Sequence, residues 1–205
     1  VFVTEATFGT PSYAWQKDVN LGEQIFNWWS LNAKARLNSV LFAYSLGKAQ
    51  RVLGVLAPHA TRTIYCHPAA KDLTDCYRAQ GIHLAPTRCL SEVPDGTELC
   101  GELLLVPQAF LKSPQARVLG RGFRTAFASG WMAGGRGHFD HGFVMSDHAD
   151  WHDLVRTVKE TGAKKVYVQH RGQGALVRHL KKLGLKAYPD TALFAENKTQ
   201  LSFAL

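Results

Sequence analysis

Two short apolar runs, Ser39 to Tyr44 and Thr63 to Cys66, each give way within a few residues to an amphipathic helical pattern, Lys48 to about Leu56 and Ala69 to Gln80. Strands this short and this apolar are covered on both faces, and a helix that follows at once serves as the crossover a parallel neighbour requires. Leu103 to Pro107 and Thr125 to Ala128 supply two more buried strands. The alternation therefore predicts an α/β layer with a largely parallel sheet.

The flanks follow the same grammar. Val1 to Thr4 reads as a buried strand that delivers Glu5 at its C-terminal end. Val19 to Ala33 spaces Val19, Ile25, Phe26 and Trp29 as one face of a helix. The glycine-rich stretch 130–142 breaks the pattern and reads as a linker or domain crossing. Beyond it come the apolar residues Phe143 to Met145, a helix from Trp151 to Thr161, a strand from Lys165 to Gln169, a helix from Gly174 to Leu183, and a short tail from Pro189. There is no repeat at solenoid spacing.

At 205 residues the chain is long enough for one large or two small domains with a real core. No apolar stretch reaches the length that spans a bilayer, and no signal-peptide pattern is present, so no membrane partner is expected. Cys66, Cys76, Cys89 and Cys100 form no C-x-x-C pair and read as reduced thiols of a cytoplasmic protein. The net charge of +8 favours a polyanionic partner, nucleic acid first. The chain opens inside a strand-like run with no initiator methionine, from which we expect that a preceding part is missing.

Polar residues stand at four predicted strand ends, where open α/β sheets hold ligands: Glu5, the turn Ser45 to Lys48, the run Asp147-His148-Ala149-Asp150, and His170. Ser146 to Trp151 leads into a helix, whose unpaired N–H groups suit an anion such as phosphate. The same run serves equally well as a plain helix cap, at Ser146 or Asp147, with an incidental histidine. His170 closes a strand ahead of Arg171 and Gly172, a setting for a metal ligand or a proton donor, or for a core imidazole bonded to a carbonyl. Tyr44 to Arg51 has the small residue, glycine and lysine of a phosphate cradle, though not a Walker sequence. Ser129-Gly130-Trp131 offers a second small-residue turn. His138 and His141 flank the glycine-rich loop as weaker metal candidates, and His59, His67, His83, His152 and His179 read as surface residues.

Thr4 to Gly9, Phe42 to Gln50, Phe127 to Met132, Ser146 to Trp151 and Tyr167 to His170 occur in an order that resembles the β-CASP branch of the metallo-β-lactamase superfamily. The likeness is greatest to bacterial DNA-ligase-associated exonucleases, kin of mRNA 3′-end processing factors. The resemblance implies a β-CASP domain, a parallel sheet flanked by helices, together with the C-terminal portion of a metallo-β-lactamase αββα sandwich. Its expected bounds are 1–9 for the lactamase strand with the motif acid, 10–137 for the β-CASP domain, and 138–205 for the returning lactamase part.

It further implies a nuclease hydrolysing phosphodiesters through two zinc ions, with DNA as substrate, in repair alongside a DNA ligase and a helicase. On this likeness Glu5 and His148 are catalytic, and His170 ligates one zinc. Ser45, Lys48 and Ser129 belong to the phosphate-binding face. The family's H-x-H-x-D-H motif is not in this sequence, so the chain alone is expected to be inactive or nearly so. The competing expectations are an RNA-processing nuclease of the same branch, a nucleic-acid-binding module without catalysis, and a small-molecule hydrolase of the parent superfamily. The basic balance and the long insert between Glu5 and His148 argue against the last.

Overall fold

The computed structural model describes residues 1–16, 18–135, 137–170 and 173–193. In chain order the elements are β1 (Phe2–Glu5), α1 (Leu21–Lys34), β2 (Asn38–Phe42), α2 (Lys48–Leu56), β3 (Ile64–Cys66), α3 (Pro68–Ala79), β4 (Thr87–Cys89), β5 (Leu103–Val106), β6 (Phe123–Ala128), β7 (His141–Phe143), α4 (Trp151–Glu160), β8 (Lys165–Gln169), α5 (Gln173–Lys182) and β9 (Lys186–Pro189). Short 3₁₀ segments fill the long connections, among them Gln108–Lys112, Pro114–Leu119 and Gly130–Gly134. The chain divides into two compact units, one of Val1–Gln16 with His148–Leu205 and the other of Lys17–Asp147. The protein is thus α/β with parallel sheets flanked by helices, as the strand–helix alternation predicts.

The larger unit holds a six-stranded sheet in the order β4-β3-β5-β2-β6-β7, every pair parallel. All five residues of β2 are buried, which fits its central place. On one face Leu41, Leu103, Leu105 and Ala126 pack with Ile25 and Trp29 of α1 and Val52, Leu53 and Leu56 of α2. On the other, Val40, Phe42, Leu104, Val106 and Phe127 meet Phe110, Leu119 and Phe139 from 3₁₀ turns and loops. This second face therefore has short turns where the first has full helices. Gly22 lets α1 approach α2 closely, since a Cβ there would overlap the Val55 carbonyl.

From β2 the chain crosses by α2 to β3, on to β4, back to β5, and finally to β6 on the other side of β2. The loop after β2 lies where the crossover direction changes, the place at which open α/β sheets bind ligands. Asn38 fixes the opposite end of that strand. Only 1% exposed, it donates from Nδ2 to the carbonyls of Leu99 and Leu119 (2.7 and 3.0 Å) and accepts from the Glu102 N–H (2.9 Å).

The smaller unit holds a three-stranded parallel sheet, β1-β8-β9. Val166, Val168 and Ala187 pack with Leu154 and Val158 of α4 and Leu176 and Leu180 of α5. On the reverse face the Lys165 ammonium lies over the Tyr167 and Tyr188 rings, 5.0 and 5.6 Å from their centroids.

Two strands, β4 and β9, escape the sequence reading, and the strand expected before Ser146 lies a little earlier, as β7. β4 is a polar edge strand with no apolar run to announce it. β7 begins at His141, two residues before the apolar Phe143 to Met145. β9 ends on Pro189, expected to open a tail; at the end of an edge strand proline's missing N–H costs nothing. The glycine-rich stretch forms the 3₁₀ turn Gly130–Gly134 and then β7, inside the larger unit. Among the described residues no helix is long and apolar enough to cross a membrane, and all four cysteines are free thiols.

Candidate functional site

In the smaller unit, Glu5 at the end of β1 meets His148, which lies three residues before α4 begins. Glu5 Oε1 lies 3.0 Å from His148 Nδ1. Its Oε2 accepts from the Thr7 N–H at 2.9 Å and the Thr7 hydroxyl at 2.6 Å. Partial burial raises the carboxyl pKa, but the Thr7 hydrogen bonds and the His148 ring outweigh it and hold Glu5 below the usual carboxylate range. An ionised carboxylate only accepts, so Nδ1 of His148 is the donor. In the neutral ring the lone pair then sits on Nε2. The pair is half exposed, with side-chain exposures of 36% for Glu5 and 40% for His148.

The loop 7–15 braces this pair. Phe8 is 3% exposed, and its ring meets His148 edge-on at 5.7 Å, Tyr13 at 4.9 Å and Trp15 at 5.0 Å. Trp15 donates its indole N–H to the His148 carbonyl at 3.3 Å and its backbone N–H to Asp150 Oδ2 at 2.8 Å. Asp150, wholly buried, uses Oδ1 to cap α4 through the Asp153 N–H at 2.8 Å. The Trp151 N–H reaches back to the Tyr13 carbonyl at 3.0 Å. Asp150 is therefore the helix cap, a role the sequence left open between Ser146 and Asp147.

His170 lies one residue beyond Gln169, the register partner of Glu5, so the two stand at the same end of neighbouring parallel strands. Its backbone takes φ +82°, in the left-handed region where a non-glycine residue is strained. Arg171 and Gly172, which entered the sequence argument for His170, lie outside the described residues. Among the described residues no group of three or more histidine, cysteine, aspartate or glutamate side chains is assembled to hold a metal ion. His170 is one donor, and the described residues around it do not complete a zinc site.

In the larger unit, Ser45 and Ser129 stand beyond the ends of β2 and β6, which pair in register at Phe42 and Phe127. The turn before α2 is closed on itself. The Gly47 N–H donates to Gln50 Oε1 at 2.7 Å, that of Lys48 to Leu46 at 2.9 Å and that of Ala49 to Tyr44 at 3.0 Å. Gln50 Nε2 returns to the Ser45 carbonyl at 3.0 Å. Lys48 is buried, with its ammonium 3.2 Å from Asp147 Oδ2 and over the Tyr44 ring. Ser129, 2% exposed, accepts from the Trp131 N–H at 3.4 Å and caps its 3₁₀ turn. These amides, the Lys48 ammonium and the Ser129 hydroxyl are engaged with the protein itself.

Two features of this unit were not singled out in the sequence. Gln50 is the bracket of the β2–α2 turn, and a glutamine three residues after a turn glycine is the available signal. His67 is half-buried and caps α3, accepting from the Ala69 N–H on Nδ1 at 3.2 Å, and burial lowers its pKa. The neighbouring Cys66 thiol is pushed up to about 12 by burial and carries no thiolate chemistry.

No family model matches the chain. It is 30% identical over 203 residues to a protein named "Probable DNA ligase" from Opitutus terrae, an alignment covering 97% of this chain and 19% of that protein. The chain thus spans about a fifth of the length of the curated relative it matches.

Proposed function

We propose that this chain is part of a metal-dependent phosphodiesterase that degrades DNA, with its smaller unit belonging to a metallo-β-lactamase domain and its larger unit to a β-CASP domain. The observation that carries the reading is the Glu5–His148 pair at a strand end, with Thr7 and the Phe8–Trp15 loop fixing its geometry. A carboxylate that holds the Nδ1 proton aims Nε2, which accepts a proton in the neutral ring and, once it carries one, donates to a phosphate oxygen or to a leaving alkoxide. Glu5 is the orienting acid and His148 the group that meets the phosphodiester. Ser45 would meet the DNA strand's backbone through its hydroxyl, while Lys48 and Ser129 would act on it only after giving up their present internal partners.

The name of the relative directs the reading to DNA over RNA, and to work alongside ligation. The basic excess agrees with it. Zinc is the metal the resemblance implies, and His170 would be one of its ligands. The remaining ligands have to come from outside the described residues, so no step is assigned to the metal here.

The test is digestion of labelled single-stranded DNA with added zinc, by this chain and by a protein in which a segment bearing H-x-H-x-D-H precedes it. Cleavage is expected in the second protein and is lost in its His148→Ala and His170→Ala variants. Cleavage that survives His148→Ala refutes the assignment. The absence of a donor cluster among the described residues favours one other reading, a nucleic-acid-binding module without catalysis. That reading predicts binding that ignores zinc and tolerates both substitutions.

A further inference from the structure

The second face of the six-stranded sheet, where turns replace helices, carries an open groove that the proposed site does not use. A hollow of about 550 Å³ is floored by Phe42 and Phe139 and rimmed by Gln108, Lys112 and His138. It adjoins a smaller one of about 200 Å³, between Tyr44 and Phe127, with Gln108 common to both. The rings form a connected series: Tyr44 to Phe127 at 6.3 Å, Phe127 to Phe139 at 5.3 Å, and Phe139 to His138 at 4.1 Å. Tyr44 is 59% exposed and His138 is exposed as well, so two planar faces are open to solvent above the apolar floor.

Three polar groups converge on this floor. Among the described residues neither the Gln108 amide nor the Lys112 ammonium makes a hydrogen bond or ion pair with the protein, and the His138 ring packs on Phe139. No acidic residue among those described lines either hollow. Asp140, next along the chain, is turned to Thr125 and Arg124. An apolar floor with a few convergent polar groups is the pattern of a ligand site, and these groups fit a planar ring joined to an anion. Aromatic faces stack on any base, an amide pairs with a base edge, and an ammonium receives a phosphate.

We propose that this groove binds an unpaired nucleotide of single-stranded DNA, its base on the His138 and Phe139 rings beside Gln108 and its phosphate on Lys112. The inference rests on the nucleic-acid part of the reading above and is independent of phosphodiester hydrolysis.

The experiment measures anisotropy of a fluorescein-labelled twelve-residue oligothymidylate with the full chain over a series of salt concentrations. His138→Ala is expected to weaken binding about fivefold or more, the scale of one lost stacked base, and Gln108→Ala about fivefold, the scale of one lost hydrogen bond. Lys112→Ala lowers the slope of log affinity against log salt by about 0.7, the value of one phosphate contact on a single strand. All three side chains are exposed, so far-UV circular dichroism and melting should stay at the parent values. Placing 5-bromodeoxyuridine in the oligonucleotide and irradiating it should cross-link the peptide that carries His138 and Phe139.

A parent that binds while all three variants match it in affinity and slope overturns this inference alone. A parent that binds no single strand overturns both this inference and the nucleic-acid reading. Cross-linking of free 5-bromodeoxyuridine monophosphate as strong as that of the oligonucleotide overturns the single-strand assignment in favour of a free nucleotide.

Discussion

Replacing Asp150 with alanine tests how the smaller unit holds its histidine. The Asp150 carboxylate has no exposure and two backbone donors, Trp15 on one oxygen and Asp153 on the other, both at 2.8 Å. Loss of the cap on α4 costs about 1 kcal/mol. The Trp15 N–H, in a half-buried position, loses its acceptor at a further cost of about 1–2 kcal/mol. The total of about 2–3 kcal/mol corresponds to a fall in the equilibrium constant of about 30- to 150-fold. Asp150→Asn keeps one acceptor oxygen and serves one donor of the two, so it should fall near the middle on a logarithmic scale.

Because the chain has two compact units, one denaturation midpoint mixes their stabilities. Amide hydrogen exchange read by fragment mass resolves them. Protection of residues 151–168 should drop by about 30-fold or more in Asp150→Ala, while residues 38–106 keep theirs. A drop of less than threefold in 151–168 would mean that water replaces the carboxylate without penalty, and the bracing argument fails.

Glu5→Gln removes the charge that fixes the His148 tautomer; ¹⁵N shifts should show the Nδ1 proton redistributed. In the zinc-competent protein described above, cleavage should then fall about a hundredfold. Asn38→Ala strips partners from two carbonyls and one N–H at a buried strand end, and should cost about 2–4 kcal/mol by hydrogen exchange in the larger unit. Gly22→Ala should lower the stability of that unit by about 1–3 kcal/mol, since the new methyl has to push α1 off the Val55 carbonyl. Acid should act on the units in turn. His67 is held neutral with its pKa below the ordinary 6.5, so the unfolded chain binds the extra proton first and the larger unit weakens as pH falls from about 6.5. Glu5 is held below its ordinary 4.5, so its contribution is complete above that pH and is lost as pH falls through the lowered value; melting curves at stepped pH check both.

How much the sequence discloses depends on whether the cause of a feature is local. β5 is apolar throughout, β2 is apolar from Val40 to Phe42, and α1 and α2 carry helical spacing, so burial and period reveal them directly. Thr87-Arg88-Cys89 has no such pattern and becomes a strand only because β3 offers it an edge. Asn38 reads as an unremarkable start of a strand, and its three partners lie 61 to 81 residues away. Lys48 after a glycine turn suggests a phosphate ligand by local logic. Its counter-ion Asp147 comes from the far end of the same unit, and no local pattern shows that the charge is already met.

The Glu5–His148 pair combines both kinds of cause. Each residue is legible because it closes a strand or opens a helix, yet their contact spans 143 positions. What joins them is the parallel pairing of β1 with β8 together with the loop 7–15, which bonds to the His148 carbonyl, to Asp150 and to the Trp151 amide. Every one of these bonds lies within the smaller unit, so the tautomer and direction of the imidazole are properties of that unit. No periodicity covers Phe8, Tyr13 and Trp15, so the sequence does not mark them. They are the residues through which an imidazole at 40% exposure is nonetheless held in one orientation. A substitution at Trp15 thus acts on the functional group through its backbone and its ring neighbour, with Glu5 and His148 both intact.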